Sequence, residues 1–256
     1  MLSAVNENSL LPQTGLLTRF AGRFFREAFQ LPFEWGELVR QCFGVGYQSL
    51  LLVGITAFIM GLVVTMRLQP IMVQFGAESW IPSMVGITII REMGPLITGL
   101  MVAGKVSSNI GAELGAMRVT EQIDAMEVSG ANPFKYLVVT RVAAATLMVP
   151  VLSVLADAFS LIGAYLGVSL HGDTSVALFV NDILNRLNLS YILEALVKTV
   201  FFGFAIGLVG CYKGYNAMEG TEGVGRAANS AVVVSSLVVF LLDLLTVQIS
   251  TILGIN

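Results

Sequence analysis

Charge is what this 256-residue chain has least of. Asp, Glu, Lys and Arg make up 12% of it, where a soluble domain carries about 25%. That shortage excludes an ordinary water-soluble fold, and nothing in the chain suggests nucleic-acid binding. Histidine is nearly missing as well: His171 is the only one, it stands in no ligand cluster, and it reads as a loop residue. The two cysteines, Cys42 and Cys211, are too few for a disulfide framework; both fall near one expected membrane face, beside segments placed in the cytoplasm, and so read as reduced thiols. No HExxH, Cys-His cluster or nucleophile elbow occurs, which leaves no metal set and no hydrolytic centre to assign. Gly99 to Lys105 fits the spacing of a phosphate loop, but Val106 stands where Ser or Thr is needed and no strand precedes it, so the match is accidental. Residues 1–15 are polar and the next stretch is amphipathic, so no secretory signal is expected.

What fills the chain instead is apolar. Hydrophobic residues reach 55% and the mean hydropathy is +0.81, which make this an integral membrane protein of one helical bundle. The central stretch is 81–104, a membrane-length run with Arg91 and Glu92 at its middle. A charge at a helix centre costs about 2.5–3.5 kcal/mol on insertion scales and normally faces a bundle interior, a polar cavity or a partner. Neighbours on a helix point about 100° apart, so Arg91 and Glu92 each need another partner. Pro95 offers no N–H to the carbonyl of residue 91, and with Gly94 beside it a kink or opening is expected. Interrupted helices at this depth are a recurring way to build substrate sites.

In order along the chain, residues 16–41 form an interfacial helix region, with Leu17, Phe20, Phe24, Ala28 and Leu31 on one face, Arg19, Arg23, Arg26 and Gln30 on another, and a break at Pro32. Five transmembrane helices follow at 43–66, 81–104, 142–170, 191–212 and 230–255. Arg67 to Ser79 is a turn, 105–141 is a charged region in water, 171–190 is polar and loop-like, and Lys213 to Asn229 is a Gly-rich loop. Glu194 and Lys198 stand one helical turn apart in the fourth span. Asp157 and Asp243 are single carboxyls on apolar helices, for which a cation such as Arg91 would be a structural partner. An inside N-terminus puts ten Lys and Arg on the inner side against Arg67 and Arg186 outside, which gives N-in and C-out.

Within 105–141 a short helix is delimited by Thr120 as N-cap and the Ser129-Gly130-Ala131-Asn132-Pro133 stop. Glu121 and Asp124 lie in its first turn, Glu127 follows, and Val119, Ile123 and Met126 form its apolar side, with a bend near Arg118. An acidic face is repelled by inner-leaflet lipid, so this helix suits a cytoplasmic protein partner. Gly111/Gly115, Gly163/Gly167, Gly203/Gly207 and Gly210/Gly214 have the spacing of close helix contacts.

Arg91-Glu92-Met93-Gly94-Pro95, Ala103-Gly104-Lys105, the run from Ala112 to Met126, Asn132-Pro133, Arg141, Lys213-Gly214-Tyr215 and Asp243 together resemble the MlaE/YrbE family, the permease subunits of MCE-associated lipid ABC transporters. The resemblance covers essentially the whole chain. It implies an all-α fold of five spans in the bacterial inner membrane and a homodimer bound to two cytoplasmic ABC ATPases that carry ATP and Mg. It also implies a periplasmic MCE-domain protein, in many systems a STAS-domain protein, and phospholipid as substrate, moved so as to maintain outer-membrane lipid asymmetry. By the same resemblance Arg91 and Glu92 line the lipid cavity, with Leu62, Met66 and Gln69 beside them. Arg118, Thr120, Glu121, Asp124, Met126 and Glu127 then belong to a coupling helix, and no cofactor is bound by this chain itself. Two rivals remain in view: a proton-coupled secondary carrier using Glu92, Asp157 and Asp243, for which five spans supply no symmetric repeat, and a structural anchor, which has no use for charges at mid-membrane.

Overall fold

The computed structural model describes residues 10–28, 34–170, 175–218 and 220–254. The Pro32 break, Gln30 and Leu31 of the interfacial helix, His171 and residues 1–9 of the polar N-terminal stretch lie outside them. The described elements are α1 (Leu10–Ala28), α2 (Trp35–Gln74), α3 (Ile81–Thr88), α4 (Gly94–Val102), α5 (Ser108–Val119), α6 (Gln122–Val128), α7 (Thr140–Ser169), α8 (Val176–Arg186), α9 (Leu189–Tyr215) and α10 (Thr221–Leu253). Wider π-helical turns at Ile89–Met93 and Ala103–Ser107 join neighbouring pieces without a break, and one at Phe134–Val139 leads directly into α7. Five stretches are long and apolar enough to cross a membrane: Trp35–Gln74, Glu78–Val119, Phe134–Ser169, Leu189–Tyr215 and Thr221–Ile252. The chain is an all-α, multi-pass membrane protein.

Each stretch outruns its expected span, and the excess has physical causes. No turn forms at Arg67 to Pro70. Pro70 costs α2 one hydrogen bond, but Thr65 and Gln69 are buried and the helix continues to Gln74. It stops at Gly76, where the left-handed backbone lets the amides of Gly76 and Ala77 bond the Val73 and Met72 carbonyls. Residues 105–119, expected in water, instead continue the second stretch: Ser107, Ile110, Gly111, Leu114 and Gly115 are buried against α9 and α10. Arg141 is buried too, held by Glu113 at 2.8 Å. The expected Gly-rich loop is shortened from both sides, because Gly214 within α9 packs against Leu114 and Gly111 while Thr221 already opens α10.

The stretch expected to be a loop at 171–190 contains α8. Ser175 caps it by accepting from the Leu178 amide, and Phe179 and Ile183 are buried against α3. The amphipathic α1 likewise meets protein where lipid was expected. Phe20 packs edge-on to Phe134 at 4.9 Å, Phe24 to Phe204 at 5.5 Å, and the Arg23 guanidinium covers the Phe134 ring. Both cysteines are free.

At the centre α7 lies between α2 and α9, and α9 carries α5 and α10 on its other sides. Glycines set how closely these axes approach. A methyl group on Gly61 would overlap the Ser160 backbone carbonyl, one on Gly163 the Phe58 carbonyl, and one on Gly203 the Ala145 carbonyl. Gly44, by contrast, has nothing within 4 Å of such a methyl. Gly163→Ala should therefore cost about 1–3 kcal/mol by overpacking and lower the thermal midpoint of the solubilised protein, while Gly44→Ala leaves it unchanged or slightly raised. Equal midpoints for the two variants would show that α2 and α7 are not in backbone contact.

Candidate functional site

The predicted opening at Pro95 takes the form of the π turn at Ile89–Met93. The Gly94 amide bonds the Ile89 carbonyl, five residues back, so one extra residue is accommodated where proline cannot donate to residue 91. Arg91 and Glu92 stand on this turn and face α9 and α10. They are a poor pair for one another, with Arg91 Nε 3.9 Å from Glu92 Oε1. Their closer bonds run to other helices. Arg91 Nε lies 3.2 Å from Glu194 Oε2, its Nη2 donates to Ser250 Oγ at 3.2 Å, and its guanidinium covers the Tyr191 ring at 4.9 Å. Glu92 Oε2 accepts from Lys198 Nζ at 2.8 Å, and the same Nζ donates to Asp243 Oδ1 at 3.2 Å.

Lys198 has no exposed surface, whereas the Glu92 side chain keeps 34% of its own. A buried ammonium is tolerable only when carboxylates replace its water, and here two come from two other stretches. Position along the helices puts Glu92, Lys198 and Asp243 nine to fourteen residues from the nearer ends of Glu78–Val119, α9 and α10, about 14–21 Å deep at 1.5 Å per residue, while Glu194 and Ser250 stand closer to the ends of α9 and α10. Asp157 reaches the same region from α7. Its Oδ1 accepts no hydrogen bond among the described residues and rests where a methyl on Gly94 would be, so only glycine leaves room for that carboxylate.

Arg91 and Glu92 thus lie together as their adjacency predicts, while Leu62, Met66 and Gln69 sit on α2, which packs on α7 through Gly163 and Gly167; the cluster's bonds run to α9 and α10 instead. Glu194, Lys198, Tyr191 and Ser250 were not among the expected site residues. Glu194 and Lys198, one turn apart, look like a local pair; both in fact bond the second stretch, through Arg91 and Glu92, and Lys198 also bonds Asp243 on α10. The signal for Glu194 and Lys198 was charge inside apolar helices: five ionisable groups, Arg91, Glu92, Glu194, Lys198 and Asp243, in three such stretches mark a candidate site by default. Asp243 does have the expected cationic partner, but it is Lys198 and not Arg91.

At the opposite end of the bundle, α6 is a separate short helix. Its expected cap is corrected: Thr120 ends α5, donating to the Ala116 carbonyl, and the residue before α6 is Glu121, in the left-handed region at φ 58°. Arg118 pairs with Asp124 and fixes the angle between α5 and α6. Ile123 is fully buried and Met126 packs beside the core. Glu121, Asp124 and Glu127 face outward with Val128, which is 90% exposed. The stop is as expected, with Gly130 at φ 78° and the amides of Gly130 and Ala131 bonding the Glu127 and Met126 carbonyls.

Comparison with known proteins adds an independent finding. The family described as "Permease MlaE" matches residues 38–249. A Rickettsia felis protein named "Probable ABC transporter permease protein" is 37% identical over 218 residues, covering 85% of this chain and 84% of its own. The Haemophilus influenzae "Intermembrane phospholipid transport system permease protein MlaE" is 34% identical over 214 residues, covering 83% and 82%. A "Probable ABC transporter permease protein" of Synechocystis is 33% identical over 220 residues, covering 86% and 84%.

The cluster makes a quantitative prediction of its own. Lys198→Met leaves Glu92 and Asp243 facing each other without a cation and should cost about 3–5 kcal/mol, read as a lower thermal midpoint of the purified protein. Adding Glu92→Gln and Asp243→Asn to Lys198→Met should restore most of the loss, because the remaining groups are neutral. If the triple variant is less stable than Lys198→Met alone, the three residues do not act as one ion cluster.

Proposed function

Because the chain belongs to the MlaE permease family, we propose that it is the non-catalytic membrane subunit of an ATP-driven transporter that moves phospholipid between the inner membrane and a periplasmic MCE-domain protein, as in the maintenance of outer-membrane lipid asymmetry. The names of its relatives support the ABC permease reading, and phospholipid is the substrate class in the name of the Haemophilus relative. A separate cytoplasmic ATPase binds ATP and Mg and supplies the energy, and in many such systems a STAS-domain protein joins it. Two copies of the chain pair. The apolar face that α10 leaves uncovered, including Val233, Leu237, Phe240 and Leu244, supports this pairing, since α10 is the least buried of the five membrane stretches. The placement of Lys and Arg supports a cytoplasmic N-terminus and a periplasmic C-terminus.

The observation that carries the proposal is α6. A short helix that buries Ile123 in the bundle while turning outward an almost wholly exposed Val128 and two carboxylates with no ion pair among the described residues is built to be touched from outside. The cluster around Arg91, Glu92 and Lys198 supplies the other half, polar groups at a depth where a headgroup needs them in transit. Glu121 and Glu127 are the residues to reverse, because Asp124 also holds Arg118. With both changed to Lys, the like charges created at a docking face cost several kcal/mol, and about 1.4 kcal/mol already means tenfold in affinity. The variant should therefore lose at least about tenfold of the ATPase that co-purifies with it, while its thermal midpoint stays put. Recovery of the normal amount of ATPase would refute the docking role.

A further inference from the structure

Between α9 and α10 the bundle has a cavity of about 480 Å³, within the ~300–1,000 Å³ range of ligand sites. Leu193, Val197, Phe201 and Ile249 give it apolar walls, and Ser190, Glu194, Thr246 and Ser250 supply its polar groups. The polar residues stand toward the helix ends near α8, whereas Val197 and Phe201 lie deeper. An amphiphile in the membrane has the same polarity along its length.

Two groups at this polar end have unused bonding capacity. The Glu194 side chain is only 10% exposed; neither carboxylate oxygen accepts a hydrogen bond among the described residues, although Oε2 has Arg91 Nε at 3.2 Å. Ser250 Oγ accepts from Arg91 Nη2, which leaves its O–H to donate, and that O–H has no acceptor among the described residues. The local charges point one way. Among the ion pairs of this cluster three carboxylates, Glu92, Glu194 and Asp243, share two cations, Arg91 and Lys198, and Lys198 is committed to Glu92 and Asp243. The carboxylate with capacity to spare beside an apolar groove is Glu194. A buried carboxylate short of donors is best completed by a cationic donor.

We propose that the α9–α10 groove holds a phospholipid whose headgroup amine donates to Glu194, so that the chain prefers lipids with a primary amine in the headgroup. The phosphate next to that amine accepts from Ser250, whose hydroxyl is polarised by Arg91 behind it, and an acyl chain runs past Val197 and Phe201. This inference rests on the lipid-transport reading and adds to it a place within one subunit and a headgroup class. A lipid with a neutral headgroup offers Glu194 no cation and leaves the carboxylate as it was.

The test uses the complete transporter in bilayers containing phosphatidylethanolamine and phosphatidylglycerol in equal amounts with identical acyl chains. A photo-crosslinking residue replaces Val197 in the groove or, as control, the exposed Leu147 on α7, and the captured lipid is identified by mass spectrometry. Relative to Leu147, capture at Val197 should favour the ethanolamine lipid by about tenfold, the size expected of one charge-assisted hydrogen bond. Glu194→Gln should bring that ratio close to one, and Glu194→Lys should reverse it. A Val197 ratio equal to the Leu147 ratio in the otherwise unaltered protein overturns the proposal without any further variant, and so does a preference that survives Glu194→Gln. ATP-dependent transfer of both lipids alongside either result leaves the transport reading standing; absence of transfer of any phospholipid by the intact complex sinks that reading as well.

Discussion

A lysine with no exposed surface in an apolar bundle can keep its charge only if carboxylates are brought to it, and the arrangement of three membrane stretches follows from that demand on Lys198. Glu92 must come from the second stretch and Asp243 from α10, which fixes the rotation of both about α9. The rotation of the second stretch then carries Arg91 toward Glu194 and Ser250. Gly94 has to stay bare because Asp157 lies against it, and this adds α7 to the same level. The ions therefore act as a registry device, specifying which faces meet where apolar packing alone would accept several. Close approach does the rest: Gly61, Gly163 and Gly203 let carbonyls of neighbouring helices touch them, so the bundle cannot slide once the charges have aligned it.

The number of membrane stretches was legible because long apolar runs leave few alternatives, and so was the importance of residues 91–95, where charge and proline coincide. Helix ends were the weak point, for one reason each time. A charged or proline-bearing segment looks like a loop until its partners are known: Arg141 is buried because Glu113 meets it, and Pro70 stays helical because its neighbours pack. α8 was hidden in the same manner. Val176, Phe179, Val180, Ile183 and Leu184 have helical spacing, yet Asn181, Asp182, Asn185 and Arg186 make the segment look like a loop. Glu194 and Lys198 were visible as charges at depth, but a one-dimensional reading pairs them with each other, and only the fold shows that each serves another helix.

The α6 end of the molecule is organised by a different set of bonds. Glu27 on α1 accepts from Arg23 at 2.7 Å and from Asn132 at 2.9 Å, and Asn132 stands two residues before the π turn that begins the third stretch. Phe134 on that turn is fully buried under Phe20 and the Arg23 guanidinium. The segment between α6 and α7 is thus clamped from one side by α1, while Arg118 and Asp124 brace α6 from the other. A push on α6 meets few free joints before it reaches the long helices.

The π turn at Ile89–Met93 has a geometric consequence for everything above and below it. One surplus residue in a helix of 3.6 residues per turn shifts the phase by about 100°, so α3 and α4 belong to one continuous stretch without sharing a face. The side of α3 that seats α8 and the side of α4 that seats α7 and α9 can then be chosen separately along one continuous rod. In a straight helix a choice of face at one end dictates the face at the other. Here the rod works like a pair of gears keyed out of step, and the two charged residues are the teeth at the key.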